Sequence, residues 1–271
     1  MMIKKYAVMW ASTDNIGDDI QTLAGINFLE KKGITDYAYV DRERLSDYDG
    51  PPVVLVMNGW FTNTPSKFLP SKNITPLFIS FHCDYRCHSI ITNNKEYFKL
   101  HGPIGCRDLY TVNVFRAHGI DAYFTGCLSL YFDEHKKKNN RKYLVDINGR
   151  CCYVPNFDID TSLYNDYIKI EHLLENHLIF NLKARLERAS NLLKIYREAQ
   201  YVITARIHCA MPCRAFGTKC TFAHKNYYTD CRFKGLGKIL NGKTELHDDS
   251  TFDRTQLNQI KSTFDNIELE S

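Results

Sequence analysis

The sequence predicts an α/β protein with two domains. Short apolar, often β-branched segments alternate with segments of helical periodicity along most of the chain, and a polar, Lys/Asn-rich stretch at residues 135–142 interrupts them. Alternation of this kind is typical of a parallel sheet with crossover helices. We place the domain junction at the polar stretch, which predicts a Rossmann-like N-terminal domain at residues 1–134 and a C-terminal domain of similar logic at residues 142–271.

The N-terminal half contains the clearer pattern of strands and helices. The helix after the first strand is indicated by apolar residues at Ile20, Leu23 and Phe28 and ends at Gly33. Continuous β-branched segments indicate strands that are covered on both faces. We predict strands at residues 3–10, 37–40, 52–57, 77–81, 103–107 and 122–124, with a second helix at residues 110–118.

The C-terminal half repeats this alternation without any sequence repeat between the halves. Apolar residues at helical spacing, including Leu186 and Leu193, predict a long helix. We predict strands at residues 142–146, 152–154, 201–204 and 219–223, and helices at 182–197, 207–216 and 252–264.

Composition excludes several classes of protein. Of 271 residues, 44% are apolar and 24% are charged, which is typical of a folded globular chain, and the formal charge is only +4. No apolar stretch approaches the length of a membrane span, and no signal peptide is recognisable at the N-terminus. The 10 cysteines are scattered in a chain able to form a core, so we expect reduced thiols and a cytoplasmic location. The short basic run at residues 136–142 predicts a solvated linker and no nucleic-acid partner.

One cluster has the chemistry of metal ligands. It comprises His82, Cys83, Cys87 and His88. Because the chain contains no CxxC pair, the alternative that the cysteines are small buried apolar residues is favoured. We therefore predict no metal site.

Three segments follow predicted strands and contain polar or charged residues. They are residues 14–19, 104–108 and 204–208. In open parallel sheets, ligands bind beyond the carboxyl ends of the strands, where helix N-termini supply N–H groups. The sequence therefore predicts a binding site formed by these segments.

Arg206 and His208 are two residues apart, so on extended backbone their side chains project to the same side. A guanidinium, an imidazole and helix amides together suit a phosphate or carboxylate. A surface salt bridge for the arginine and a half-buried, satisfied ring for the histidine are the structural alternatives.

The other two segments leave similar alternatives open. Gly17 permits close approach of a ligand to the backbone, whereas Asp18 and Asp19 are interpreted equally well as helix N-caps. Arg107 follows an apolar strand and either binds a ligand or pairs with the adjacent Asp108.

Together the three segments resemble the polysaccharide pyruvyl transferase family. The shared motifs, which run in family order over residues 8 to 225, are Asn15-Ile16-Gly17-Asp18, Ile104-Gly105-Cys106-Arg107-Asp108 and Val202-Ile203-Thr204-Ala205-Arg206-Ile207-His208.

Further segments resemble one subgroup of that family. They are Asn58-Gly59-Trp60-Phe61, Ser80-Phe81-His82, residues 126–130 and residues 209–217. The chain departs from the family in having Ala205 where Asp or Ser is common, and Asn58-Gly59 where Gly-Gly is usual. These departures bear on the identity of the sugar or the donor.

The resemblance implies two Rossmann-like domains that face each other across a cleft, as in glycosyltransferase-B enzymes, with a C-terminal helix. It also implies transfer of the carboxyethylidene group of phosphoenolpyruvate to two hydroxyls of a sugar or glycan in surface polysaccharide biosynthesis.

By similarity, Arg206 and Arg107 bind the two anionic groups of the donor. His208 is the first candidate for general acid or base, and His82 is the second. Asn15, Gly17 and Asp18, together with Asn58 and Gly59, are expected to bind substrate. The reaction requires no cofactor.

Two other functions fit the same fold. One is a nucleotide-sugar glycosyltransferase, because helix N-termini in a cleft bind a diphosphate equally well. The other is a non-catalytic carbohydrate-binding protein that uses Trp60, Tyr227 and Tyr228 as sugar platforms. The acceptor and the oligomeric state are not readable from the sequence.

Overall fold

Two parallel sheets organise the chain in a computed structural model that describes residues 5–145, 164–244 and 250–269. The first sheet has six strands in the order β2-β1-β3-β4-β5-β6, and the second has four in the order β10-β9-β7-β8. The strands are β1 (Lys5–Trp10), β2 (Tyr37–Asp41), β3 (Val53–Phe61), β4 (Ile74–Cys83), β5 (Ile104–Cys106), β6 (Ala122–Phe124), β7 (Lys142–Val145), β8 (Tyr167–Ile170), β9 (Tyr201–Thr204) and β10 (Lys219–Phe222).

Among the described residues, the first six helices lie between strands and the last two follow β10. They are α1 (Ile16–Lys31), α2 (His88–Asn93), α3 (Lys95–Leu100), α4 (Leu109–Ala117), α5 (Leu182–Glu198), α6 (Ile207–Ala215), α7 (Gly237–Leu240) and α8 (Arg254–Asp265). Within the described residues, none is both long and apolar enough to span a bilayer.

The predicted α/β class with parallel sheets is confirmed, and most predicted elements lie within a few residues of the observed ones. β8 was not predicted because it is a short edge strand with little buried surface, and α2, α3 and α7 are too short to show a helical period. The predicted strand at residues 152–154 lies outside the described part of the chain. The domain bounds stay a prediction.

The two sheets share a topology. The order β2-β1-β3-β4 in the first sheet corresponds to β8-β7-β9-β10 in the second, so each sheet has its first strand beside its third. In such sheets the loops that follow these two adjacent strands run to opposite faces of the sheet. This opens a crevice beyond the carboxyl ends of the two strands. The topology therefore points to the β1/β3 and β7/β9 junctions as the places where ligands bind.

A single core joins the two sheets. Tyr6 and Val8 on one face of β1 belong to the same apolar cluster as Val145 and Val202 in the second sheet. Helices α1, α5 and α6 also contribute to this cluster and so pack between the sheets. The alternate residues of β1, Ala7 and Met9, face a separate cluster on the opposite face, as the two-residue period of a strand requires.

The C-terminal helix α8 packs back onto the segment that follows β6. Ile260 packs against Gly126, which has no side chain to obstruct it, and the ring of Phe264 packs on that of Tyr131. Lys261 Nζ donates a hydrogen bond to the carbonyl of Phe132 at 2.7 Å. The helix therefore helps to bind together the two parts of the chain.

Candidate functional site

The loops that follow β1 and β9 meet at the carboxyl ends of the two sheets. Gly17, in the first turn of α1, faces His208, in the first turn of α6. A β-carbon at position 17 would lie 3.1 Å from His208 Nδ1. Two of the three sequence motifs are therefore in contact, and only a residue without a side chain allows the imidazole to lie so close to α1.

Asn15 shapes the start of α1. Its side-chain oxygen accepts the N–H of Gly17 at 3.1 Å, which makes Asn15 the N-cap of the helix. The interpretation of Asp18 and Asp19 as N-caps was therefore wrong, because the cap precedes both residues.

The two aspartates instead form buried ion pairs. Asp18 accepts hydrogen bonds from Nη1 and Nη2 of Arg42, with N–O distances of 2.9 and 3.2 Å. Asp19 accepts hydrogen bonds from Nε and Nη2 of Arg185 on α5, at 2.8 and 3.0 Å. Such bidentate pairs fix the geometry of both partners, so they tie the first turn of α1 to each half of the protein. The role of Asp18 in substrate binding remains a prediction.

Arg107 is the most unusual charged residue of the region. Its side chain is completely buried, and none of its three guanidinium nitrogens has a hydrogen-bond partner among the described residues. Asp108 Oδ2 lies 3.7 Å from Arg107 Nε. The pairing of Arg107 with Asp108, which the sequence offered as the alternative to ligand binding, is therefore a charge contact without a hydrogen bond. A buried charge that lacks hydrogen bonds costs several kcal/mol, roughly 3–5 when its partner has been removed. An anionic ligand would satisfy it.

His82 and Asp108 form a carboxylate–imidazole pair beside this guanidinium. His82 Nδ1 lies 2.6 Å from Asp108 Oδ2, and both side chains are buried. The other oxygen of Asp108 accepts the backbone N–H and the hydroxyl of Thr111, both at 2.9 Å, and thereby caps α4. A carboxylate on Nδ1 selects the tautomer whose lone pair is on Nε2. The arrangement therefore orients one ring nitrogen as a base.

Burial and the charge of Arg107 determine the protonation of this pair. Burial lowers the pKa of His82, and the Arg107 guanidinium adds to that effect, although Asp108 opposes it. Burial would raise the pKa of Asp108, but His82 and Arg107 outweigh it and hold that pKa below its usual value. At neutral pH the pair is therefore a carboxylate that accepts a hydrogen bond from Nδ1–H of a neutral imidazole.

His208 is likewise neutral. Burial lowers its pKa well below the usual value, and the positive charges of Arg107, Arg232 and Arg42 contribute in the same direction. Its Nε2 atom is buried and has no hydrogen-bond partner in the described part of the chain. The ring can therefore accept or donate a proton when a ligand arrives.

Arg206 precedes α6 directly and is almost completely buried. Its charge acts on two histidines that sequence reasoning missed, His172 and His224. After burial, Arg206 is the main cause that lowers the pKa of His172 to about 3, and it contributes to lowering that of His224 to about 4. Of the residues that we expected at the site or next to it, Arg107, Asp108 and His82 thus lie together, and the charge of Arg107 also acts on His208. The charge of Arg206 acts on the two newly found histidines.

The missed residues follow strand ends in the second sheet. His172 lies two residues after β8 and His224 two residues after β10, so the rule that sites form at carboxyl ends would have found His224. His224 Nδ1 accepts the backbone N–H of Asn226 at 3.2 Å, which leaves a proton on Nε2 as a donor. Arg232 lies on the segment after His224, which hydrogen-bonds to the start of α4 through Leu109 N–H and the Lys234 carbonyl at 3.0 Å.

Asn58 and Gly59 lie against α1. The Asn58 amide donates to the carbonyl of Gln21 at 2.9 Å, and Gly59 has a φ of +107°. A β-carbon at Gly59 would come within 2.5 Å of Gln21 Oε1. The observed strand β3 is longer than the predicted one and includes both residues, which contact α1 from its carboxyl-terminal part. Their role in binding substrate stays a prediction.

The four residues considered as metal ligands, His82, Cys83, Cys87 and His88, do not converge on one point. His82 is engaged by Asp108, whereas His88 Nε2 lies 2.9 Å from the hydroxyl of Tyr110. Cys83 and Cys87 are buried, and burial raises the pKa of both thiols. Across residues 5–145, 164–244 and 250–269, no three His, Cys, Asp or Glu side chains are grouped in a way that could hold a metal ion.

Comparisons with known proteins identify one family and one similar fold. The family model described as polysaccharide pyruvyl transferase matches residues 15–222. A crystal structure of a functionally uncharacterised protein from Klebsiella pneumoniae subsp. pneumoniae is similar in fold, with a TM-score of 0.51 and 16% identity over 85% of this chain and 87% of that one. A search of curated proteins found no match.

Proposed function

The chain belongs to the polysaccharide pyruvyl transferase family, and on that premise we propose that it transfers the carboxyethylidene group of phosphoenolpyruvate to two hydroxyls of a sugar. The observation that supports this donor best is the guanidinium of Arg107, which is buried and lacks hydrogen bonds within the described residues. A binding protein for neutral sugars would have no use for such a group, whereas a small, strongly anionic donor would offset its burial.

Phosphoenolpyruvate has a carboxylate and a phosphate, and we propose that Arg107 and Arg206 bind one each. The N–H groups in the first turn of α6 assist them, as is common for phosphate at a helix N-terminus. His224, through its Nε2 proton, adds a donor on the same side, whereas Arg232 is held by Asp230. Bidentate guanidinium contacts suit both anionic groups.

The proposed reaction moves two protons. A sugar hydroxyl gives its proton to a neutral imidazole as its oxygen adds to the phosphate-bearing carbon of phosphoenolpyruvate, and the imidazolium delivers that proton to the adjacent methylene carbon. Phosphate then leaves as its C–O bond breaks, and the second hydroxyl adds to the same carbon and loses its proton. The first hydroxyl proton therefore ends on the methylene carbon, and the second leaves on the phosphate. The product is a ketal plus inorganic phosphate.

His208 and His82 are the proposed proton carriers. Both are neutral in the free protein, so each can accept a proton from a hydroxyl. Binding of the anionic donor near Arg107 would offset the positive charge that lowers the pKa of His208. The ring would then hold the accepted proton long enough to deliver it to the methylene carbon. Asp108 acts as a positioning residue for His82.

The two sheets, with their equivalent strand orders, support a glycosyltransferase-B-like arrangement with domains at residues 1–134 and 142–271, the donor being bound mainly by the second. Asn15, Gly17 and Asp18, with Asn58 and Gly59, would form the acceptor side. No metal or organic cofactor is needed, because guanidinium groups supply the electrostatic stabilisation and imidazoles move the protons. We propose that the enzyme acts in the cytoplasm on a glycan precursor.

The test is release of phosphate from phosphoenolpyruvate with a panel of galactosides, mannosides and N-acetylhexosamines. We expect acceptor-dependent release that is lost in Arg206→Ala and His208→Ala and kept in Arg44→Ala, a matched change of a side chain that is 71% exposed. Thermal stabilisation by a nucleoside diphosphate and not by phosphoenolpyruvate would contradict the proposal and favour a glycosyltransferase. Stabilisation by neither would favour a binding protein.

A further inference from the structure

We propose that the acceptor is recognised through two sugar rings, and that a cavity beside Trp60 and Arg86 holds the ring next to the one that reacts. This inference rests on the proposed function, because it assigns the acceptor side of the same site. It adds a second contact region that neither the motifs nor the family assignment contains.

The cavity has a volume of about 330 Å³, near the lower end of the roughly 300–1,000 Å³ typical of small-ligand sites. Ser66, Ser89 and Asn93 contribute hydroxyl and amide groups to its wall, and Leu69 and Ile90 contribute apolar surface. Hydroxyls and amides over an apolar floor suit a pyranose ring, which presents hydroxyls at its edge and C–H groups on its face. A purely apolar ligand would leave the hydroxyl and amide groups unmatched.

Arg86 is the charged member of the wall and is held in place on three sides. Its Nε donates to Asp84 Oδ1 at 2.7 Å, and its guanidinium carbon lies 5.0 Å from the ring centre of Trp60 and 6.0 Å from that of Tyr85. An arginine fixed in this way offers its remaining N–H groups to sugar hydroxyls at little entropic cost. The ring of Tyr85 is 72% exposed and lies beside the Arg86 guanidinium, where it is accessible to a sugar.

Trp60 connects this cavity to the reacting groups. In the β3–β4 register Trp60 is paired with His82, the residue held by Asp108. The Arg42 guanidinium carbon lies 5.6 Å from the Trp60 ring centre, and Arg42 also binds Asp18 next to Gly17. The residues that line the cavity follow β3 and β4, so the cavity lies at the same end of the sheet as Trp60 and His82. Two adjacent rings of a glycan could occupy the two places at once.

The experiment compares acceptors with the same terminal sugar, methyl β-galactoside against lactose and methyl α-mannoside against mannobiose. For whichever pair supports phosphate release, we expect the disaccharide to have a KM about tenfold lower at a similar kcat, as for a contact made equally in the ground and transition states. Tyr85→Ala and the cavity-filling Ser89→Trp should abolish that difference and leave the KM for phosphoenolpyruvate unchanged. Phe180→Ala, at a ring that is 81% exposed, should preserve it.

Equal KM values for the mono- and disaccharide in the unmodified protein would overturn the inference, as would variants that weaken both acceptors equally. Saturation-transfer NMR of each disaccharide with the full chain, without phosphoenolpyruvate, gives an independent measurement. Loss of signal from the non-terminal ring in Ser89→Trp supports the cavity, and an unchanged signal contradicts it. Absence of phosphate release with every acceptor would count against the proposed function, whereas the NMR result would still decide the cavity.

Discussion

Gly17 and His208 are separated by less space than one methyl group requires. A β-carbon at position 17 would lie 3.1 Å from both His208 Nδ1 and Asn15 Oδ1. The contact joins the first turn of α1 to the first turn of α6. It therefore sets the position of the imidazole relative to the N-terminal half of the site.

We expect Gly17→Ala to reduce activity without unfolding the protein. The new methyl group must displace the His208 ring by a few tenths of an ångström, and small misplacements of a catalytic group can cost about 10²-fold in rate. Alanine in a helix is itself favoured over glycine by up to about 1 kcal/mol, so the melting temperature should change little. Steady-state phosphate release and thermal unfolding measure the two effects.

Gly25→Ala on the same helix is the matched control. A β-carbon there would meet Asn58 Oδ1 at 3.5 Å and Val8 at 3.6 Å, which are ordinary contacts. Its kcat should equal that of the unmodified protein. Equal kcat in both variants would show that the position of His208 does not limit the reaction.

Arg107→Met should separate stability from donor binding. Replacement of a buried charge without hydrogen bonds by an apolar side chain is expected to leave the free energy of unfolding unchanged or raise it by about 1–4 kcal/mol. At the same time, phosphoenolpyruvate should no longer raise the melting temperature. Urea denaturation with and without the donor measures both quantities.

Arg185→Met provides the contrast for that experiment. Arg185 is equally buried but is bound by Asp19 through two hydrogen bonds, at 2.8 and 3.0 Å. Its loss leaves a buried carboxylate without its partner and should lower the free energy of unfolding by about 3–5 kcal/mol. If Arg107→Met destabilised the protein as much, the guanidinium would have a structural role and the donor site would be elsewhere.

Asp108→Asn should lower kcat by about 10²–10⁴-fold, the range for loss of a group that holds a catalytic histidine in its tautomer. Asparagine caps a helix as well as aspartate does, so α4 should keep its stability. Asp253→Asn is the control, because Asp253 caps α8 in the same way by accepting the N–H of Gln256 at 3.1 Å. An Asp108→Asn enzyme with normal kcat would remove His82 from the proposed mechanism.

His172 makes stability depend on pH. Burial, Arg206 and Arg188 lower its pKa from 6.5 to about 3, and both ring nitrogens lack hydrogen-bond partners in the ranges described. Between these two values the unfolded chain binds a proton that the folded chain does not, so this contribution to stability falls as pH falls. The slope for one such group is about 1.4 kcal/mol per pH unit.

The free energy of unfolding of the unmodified protein should fall between about pH 7.5 and about pH 5. In His172→Phe that fall should be smaller by roughly 2 kcal/mol. Urea denaturation at both pH values measures it. His177→Gln, at an imidazole that is 71% exposed, should leave the loss as it is in the unmodified protein. The same pH dependence in all three proteins would contradict the burial of a neutral His172.

Sequence patterns anticipated the elements better than the contacts between them. Gly17, Arg107 and His208 were all identified from their positions after strands, because the carboxyl ends of parallel strands are where ligands bind. The partner of Asp108 was not anticipated, since His82 is 26 residues away along the chain and no local pattern connects the two. His172 was missed because its strand, β8, has too little buried surface to show a pattern.

The order of residue types along the chain determined by itself the α/β class, most strand and helix positions and the motifs of the family, because these depend on local periodicity and on short segments. Only the tertiary structure decided that Asp18 and Asp19 bind arginines instead of capping α1, that Arg107 is buried without hydrogen bonds in the described residues, and that Trp60 is paired with His82 across two strands. These relationships join residues that are distant in sequence. They arise from how two sheets pack around a shared layer of helices, which no single segment encodes.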